Sequence, residues 1–130
     1  MPYLLKMSAG AVQGVGQFKN SKGHTECVVF VQKAAGAPVT SAWRPGIKVH
    51  DAQPGDIAPN TAIATFDQNG LYPTDAKGRH AAIFLSKSPA GIRVLDQWNK
   101  QGQVKPRTIP FNVAKGTTRS NDGDSFYVIK

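Results

Sequence analysis

The apolar positions of this chain fall into two patterns, and the change of pattern near residue 60 organises the reading. In the N-terminal half, Val28-Val29-Phe30-Val31 form an apolar run that opens after Thr25 and Glu26 and stops at Gly36-Ala37-Pro38. An N-cap hydroxyl, an acid in the first turn and a Gly/Pro stop predict a buried helix with Thr25 as its cap. From residue 61 the period shortens to that of strands. Residues 61–66 (TAIATF) read as a strand ended by a hairpin-type turn at Asp67-Gln68-Asn69-Gly70. Residues 80–86 and 92–98 flank a turn at 87–91 and predict an antiparallel hairpin. Residues 104–111 contain prolines, which suits an edge strand, and residues 125–130 give a last strand after a turn at 121–124.

Between these elements, residues 8–23 read as a glycine-rich loop leading into the helix. Thr40 or Ser41 is placed to cap a short helical turn, and residues 49–59 are rich in turn signals. The fold class predicted is α+β, with N-terminal helices and a buried helix packed on an antiparallel sheet of about four to six strands. At 130 residues the chain reads as a single domain, 1–130, able to build one core.

Composition narrows the function classes. The chain has one cysteine, so no internal disulfide is available. Its first residues carry a lysine inside a short apolar patch and lack the apolar core of a secretory signal, and no run reaches transmembrane length. The expectation is a protein made in the cytoplasm, not inserted in a membrane, and exported, if at all, by a route without a cleaved leader. A net charge of +8 favours polyanions such as wall polymers or nucleic acid. The basic residues are spread along the chain without a cluster interleaved with aromatics, which argues against a nucleic-acid module.

Candidate chemistry begins at Cys27, in the first turn of the predicted helix, where free N–H groups and the helix dipole favour a thiolate. A thiolate nucleophile needs an imidazole and a group to orient it. His24 sits at the flexible helix start and His50 in a polar loop that reads as surface. His80 opens a strand and is held by the sheet. If the 80–98 hairpin turns about Ser88, Asp96 faces His80, whereas a slip of one residue presents Gln97. An acid after Ile92-Arg93-Val94-Leu95 breaks an apolar segment, which favours an orienting role. Gln17 and the 14–24 loop offer oxyanion donors, and Tyr72, Trp98 and Trp43 offer groove walls. Two metal readings are weaker: His24 and Cys27 completed by His80 or Asp96 supply only one thiolate for zinc, and the carboxylates at 121–124 match no EF-hand spacing.

The order Cys, His, Asp, with a helix-start cysteine and a strand-start histidine, resembles the papain-like amidases of the NlpC and CHAP type. The segments Thr61-Ala-Ile-Ala-Thr-Phe66, Gly78-Arg79-His80-Ala81-Ala82-Ile83 and Gly91-Ile92-Arg93-Val94-Leu95-Asp96-Gln97-Trp98 are similar to type VI secretion amidase effectors, over residues 14–129. The resemblance implies cleavage of amide bonds in peptidoglycan stem peptides through a thioester, without a cofactor or metal. It places Cys27 as nucleophile, His80 as base and Asp96 at the third position; Gln17, Tyr72 and Trp98 are the candidate substrate contacts. It also implies release into a target cell's periplasm and a cognate immunity protein. One departure is Thr25-Glu26 before the cysteine, where the family often has Gly-Gln or Gly-Asn. The competing reading is an inactive module on the same fold that binds wall peptides or a partner protein.

Overall fold

The computed structural model describes residues 2–15 and 18–130. Among the described residues two α-helices, α1 (Ala9–Val12) and α2 (Cys27–Ala35), precede most of the sheet. Seven strands follow the chain as β1 (Gly14–Val15), β2 (Pro45–Lys48), β3 (Thr61–Thr65), β4 (Ala81–Ser88), β5 (Gly91–Asp96), β6 (Gln103–Pro110) and β7 (Phe126–Ile129). They form one sheet in the order β1-β6-β5-β4-β3-β7-β2, every pairing antiparallel.

The α+β class is as predicted. The predicted hairpin, the C-terminal strand and the proline-bearing outer strand are all present, β6 having only the two-residue β1 beyond it. The differences lie in short elements held by distant partners. The 8–23 stretch contains α1 and β1 rather than loop alone. Strand β2 lies in a stretch the sequence pattern assigns to no strand; its pairing with β7 is set by Pro45 opposite Ile129 and Lys48 opposite Tyr127, 79 or more residues away in sequence. The turn at Asp67-Gly70 is real, with Gly70 at φ 73°, but β3 pairs with β4 across a loop of residues 66–80, so it closes no hairpin. The turn at 121–124 is two 3-10 turns, Arg119–Asn121 and Gly123–Ser125. The helical turn near Thr40 spans Thr40–Ala42, capped by Val39 rather than by Thr40 or Ser41.

Alternation along the strands sorts the core into two faces. Ala62, Ala64, Ala81, Ile83, Leu95 and Ile129 pack under Phe30, Val31, Ala34 and Ala35 of α2. Ile63, Ala82, Phe84, Val94, Phe126 and Val128 face the other way, covered by Val49, Ala52, Ile57 and Phe111. The valine-rich sequence of α2 is a poor helix former by itself. Burial of one side against the sheet holds it, and Gly36 at φ 72° ends it, donating its N–H to Gln32 O at 3.1 Å.

At the end of the β4–β5 turn, Gly91 lies against the backbone of Ile109 and Pro110 on β6. A methyl group there would overlap the Ile109 carbonyl oxygen. Gly91→Ala is therefore expected to destabilise the fold by about 1–3 kcal/mol, read as a lower melting temperature with secondary structure unchanged below it.

Candidate active site

The start of α2 lies one residue later than the sequence implies. Glu26 is the N-cap residue, with extended backbone (φ -67°, ψ 147°) and no side-chain cap, and Cys27 is the first helical residue. Thr25 is instead buried, its hydroxyl donating to Trp98 O at 3.3 Å. This contact ties the helix start to the end of β5. Cys27 is half-buried and keeps the free N–H environment of a helix N-terminus. The Glu26 side chain is exposed.

His80 is held by its backbone against β3. Its N–H donates to Thr65 Oγ1 at 3.0 Å, and its carbonyl accepts the Thr65 N–H at 3.0 Å. Its ring packs edge-on against Trp98 and Phe126 and is 4% exposed. Nε2 lies 2.7 Å from Asp96 Oδ2, and Asp96 is fully buried. With Nε2 engaged there, Nδ1 is the nitrogen left for the Cys27 sulfur.

The register that brings His80 and Asp96 together is not the one expected. Ser88 pairs with Gly91, so the turn is centred on Pro89 and Ala90 rather than on Ser88, and the register shifts between Phe84 and Ser86. Leu85 is the extra residue of a β-bulge, beyond which Phe84 pairs with Val94 and Ile83 with Leu95. Continued to residue 80, this register sets Trp98 opposite His80 and makes Asp96 its diagonal neighbour on the same face. Without the bulge, the register set at the turn would place Ala82 opposite Gln97 and bring Gln97 to the His80 face. One bulged leucine thus decides which of the two polar side chains meets the imidazole.

Gln97 points to the α2 side and does different work. Its amide donates to Phe18 O at 2.7 Å and to Glu26 O at 2.9 Å, a strut beneath the residue before Cys27. Replacing Gln97 with Met leaves those carbonyls without this donor. The expected cost is about 1–3 kcal/mol of stability, together with lower activity from a displaced helix start, read by thermal melts and the digestion assay below.

Electrostatics favour charge separation between sulfur and imidazole. Burial opposes a charge on Cys27, yet the hydrogen bond and charge of His80, the Ala81 backbone N–H and the Tyr72 hydroxyl outweigh it and hold its pKa below the ordinary 9.0. Burial likewise opposes the imidazolium. The hydrogen bonds to Asp96 and Cys27 and their charges prevail, and His80 is pushed up to about 9. The Tyr72 hydroxyl lies 3.9 Å from Cys27 Sγ, and burial and the neighbouring thiolate push its pKa well above the ordinary phenol range. It stays a proton donor at any working pH.

These groups open onto a cleft of about 790 Å³ lined by Cys27, Tyr72, Arg79, His80, Trp98 and Arg107, among others. Two of the three expected substrate contacts, Tyr72 and Trp98, are on its walls. Trp43 is not: it is fully buried and supports Tyr72 edge-on at 5.0 Å. Gln17 lies outside the described residues. His24 is exposed, its backbone N–H on Asn20 Oδ1. His50 is not simply surface, since it stacks on Phe111 and pairs with Asp124. Among the described residues, no three His, Cys, Asp or Glu side chains gather to hold a metal ion, and no helix is long and apolar enough to cross a membrane.

Comparison with known proteins bears on the family and the fold. The chain is 33% identical to the type VI secretion amidase effector 2 protein of Salmonella typhi, over the whole of both chains. It is 38% identical to domesticated amidase effector 2 of Ixodes scapularis, covering 81% of this chain and 70% of the relative. Among solved structures, Type 6 secretion amidase effector 2 (Tae2) superposes with a TM-score of 0.79 at 29% identity, covering 97% of this chain and 93% of the other. Residues 6–129 match the family described as Domesticated amidase effector 2, and the chain belongs to that family.

Proposed function

We propose that this protein is an amidase effector that hydrolyses amide bonds in the stem peptides of peptidoglycan, with Cys27 as nucleophile, His80 as acid and base, and Asp96 as the group that orients His80. The observation that carries the reading is that His80, its Nε2 2.7 Å from the fully buried Asp96, lines the same open cleft as Cys27 at the first position of α2. The names of its relatives support the amidase class.

In the proposed first step the Cys27 thiolate attacks the amide carbon, forming a C–S bond and moving the carbonyl electron pair onto oxygen. The Cys27 backbone N–H, free at the helix start, and the Tyr72 hydroxyl are the donors for that oxyanion. The His80 imidazolium then gives its Nδ1 proton to the departing nitrogen as the C–N bond breaks. Neutral His80 next takes a proton from water, the hydroxide adds to the thioester, and the C–S bond breaks to restore the thiolate. Trp98 and Tyr72 form the walls against which the peptide lies, and the positive net charge suits an anionic wall. Release toward target cells, and an immunity protein that plugs the cleft in the producer, belong to the same reading.

The reactive form needs the thiolate and the imidazolium together. Because the Cys27 pKa is depressed, that form survives as pH falls below 9.0; because the His80 pKa is raised, it is lost as pH rises through about 9. Alkylation by iodoacetamide at pH 6 tests this. The intact protein is expected to react at least about tenfold faster than His80→Ala and to lose digestion activity in step with alkylation. Equal, slow reaction of both proteins would contradict the thiolate assignment.

A further inference from the structure

Asp96 has two cationic partners on one oxygen. Oδ2 takes His80 Nε2 at 2.7 Å and Arg107 Nε at 2.6 Å, while Oδ1 is buried without a hydrogen-bond partner. Arg107 reaches Asp96 from β6, where Asp96 pairs with Lys105, and its remaining donors go elsewhere. Nη2 donates to Ser120 O at 2.9 Å and Nη1 to Asn121 Oδ1 at 3.2 Å, and the guanidinium stacks over Trp98 at 5.3 Å. One side chain therefore links the buried carboxylate to the aromatic wall and the 3-10 turn at Arg119–Asn121, and Arg107, Trp98, Ser120 and Asn121 all line the cleft.

We infer that Arg107 is a positioning residue for catalysis: it shares Asp96 Oδ2 with His80, fixing the carboxylate and limiting how tightly that oxygen holds the imidazolium. This rests on the catalytic reading above. A guanidinium keeps its charge at any working pH and its fork fixes direction, so it acts as a permanent competitor for the oxygen. The charged and titratable groups around His80 are Cys27 from α2, Asp96 from β5, Arg107 from β6 and Tyr72 from the β3–β4 loop; Glu26 and Arg79 act on Tyr72. Arg119, in the neighbouring turn, is spent on Asp75 at 2.7 Å. Among these, Arg107 is the cation on the carboxylate side of His80. Removing it leaves Asp96 Oδ2 to His80 alone, so the imidazolium becomes more stable and a weaker acid toward the leaving nitrogen.

The test titrates His80 by NMR of its ring protons, assigned by their loss in His80→Gln, and measures wall digestion against pH for Arg107→Gln and Arg107→Lys. In Arg107→Gln the His80 midpoint is expected to rise by about one unit. The alkaline limb of the rate should move with it, and kcat should fall about tenfold or more while KM changes less than about threefold. Arg107→Lys, which keeps a cation but not the fork, should return the midpoint most of the way to the wild-type position. An unchanged or lowered midpoint in Arg107→Gln, identical midpoints in the two variants, or a loss confined to KM would overturn the inference. The NMR midpoint does not depend on turnover, so it separates failure here from failure of the catalytic reading, which Cys27→Ala tests by itself.

Discussion

Cys27→Ala is expected to reduce wall digestion to background, a loss of about 10³-fold or more, with the melting temperature little changed. The fold does not depend on the sulfur: it is half-buried at the first position of α2, and the helix is held by Phe30, Val31, Ala34 and Ala35 against the sheet. The chemistry does depend on it, since no other described side chain combines a helix N-terminus with contact to His80. The same variant has a second consequence. With the thiolate gone, His80 loses one of the partners that raise it, so its pKa should fall from about 9 while staying above that of a free histidine because of Asp96. The two readouts respond to the same atom through different physics, charge for one and bond formation for the other.

Asp96→Asn should give the second largest effect, and on two measurements. It keeps the size of the side chain but removes the charge that Oδ2 offers to His80 and Arg107. The imidazolium loses its counter-charge and the ring its fixed orientation, so kcat should fall about 10²-fold or more. Arg107 loses its anionic partner at the same time. Breaking a fully buried pair costs about 3–5 kcal/mol, but the Arg107 side chain is 23% exposed and the screened cost here is nearer about 2 kcal/mol. Gln97→Met, by contrast, should act through stability and helix placement and leave the His80 midpoint in place, because Gln97 lies on the opposite face of β5. A shifted His80 midpoint in Asp96→Asn beside an unshifted one in Gln97→Met is the result expected if Asp96, and not its neighbour, is the third member of the proposed site.

Much of this site was legible because its members interrupt apolar patterns. A lone cysteine before a valine run, a histidine at the mouth of a strand and an acid inside β5 are local signals; His80 and Asp96 are hydrogen-bonded, and Cys27 lines the same cleft as His80. The parts that were not legible depend on register and on distant partners. Asp96 was reached by counting about Ser88, yet the actual turn lies beyond it and the bulge at Leu85 restores the face. A bulge is an extra residue with no signature of its own in an apolar strand, so counting alone does not decide between Asp96 and Gln97. Arg107 was read as one basic residue among many, because its partner is 11 positions away on the adjacent strand. Strand β2 was missed for the same reason: its sequence carries proline and glycine, and it is a strand only beside β7. Thr25 has the chemistry of an N-cap but is drawn away by Trp98 O, which moves the helix start to Cys27.

Whether this cleft cuts amide bonds through Cys27 is measured most directly by digestion of purified peptidoglycan with the products identified by mass, the intact protein beside Cys27→Ala. The prediction is that the intact protein alone releases new stem-peptide products, the two fragments of each cut bond together weighing one water more than the parent, and that Cys27→Ala releases none. Products formed equally by both proteins, or by neither while both remain folded, would contradict it.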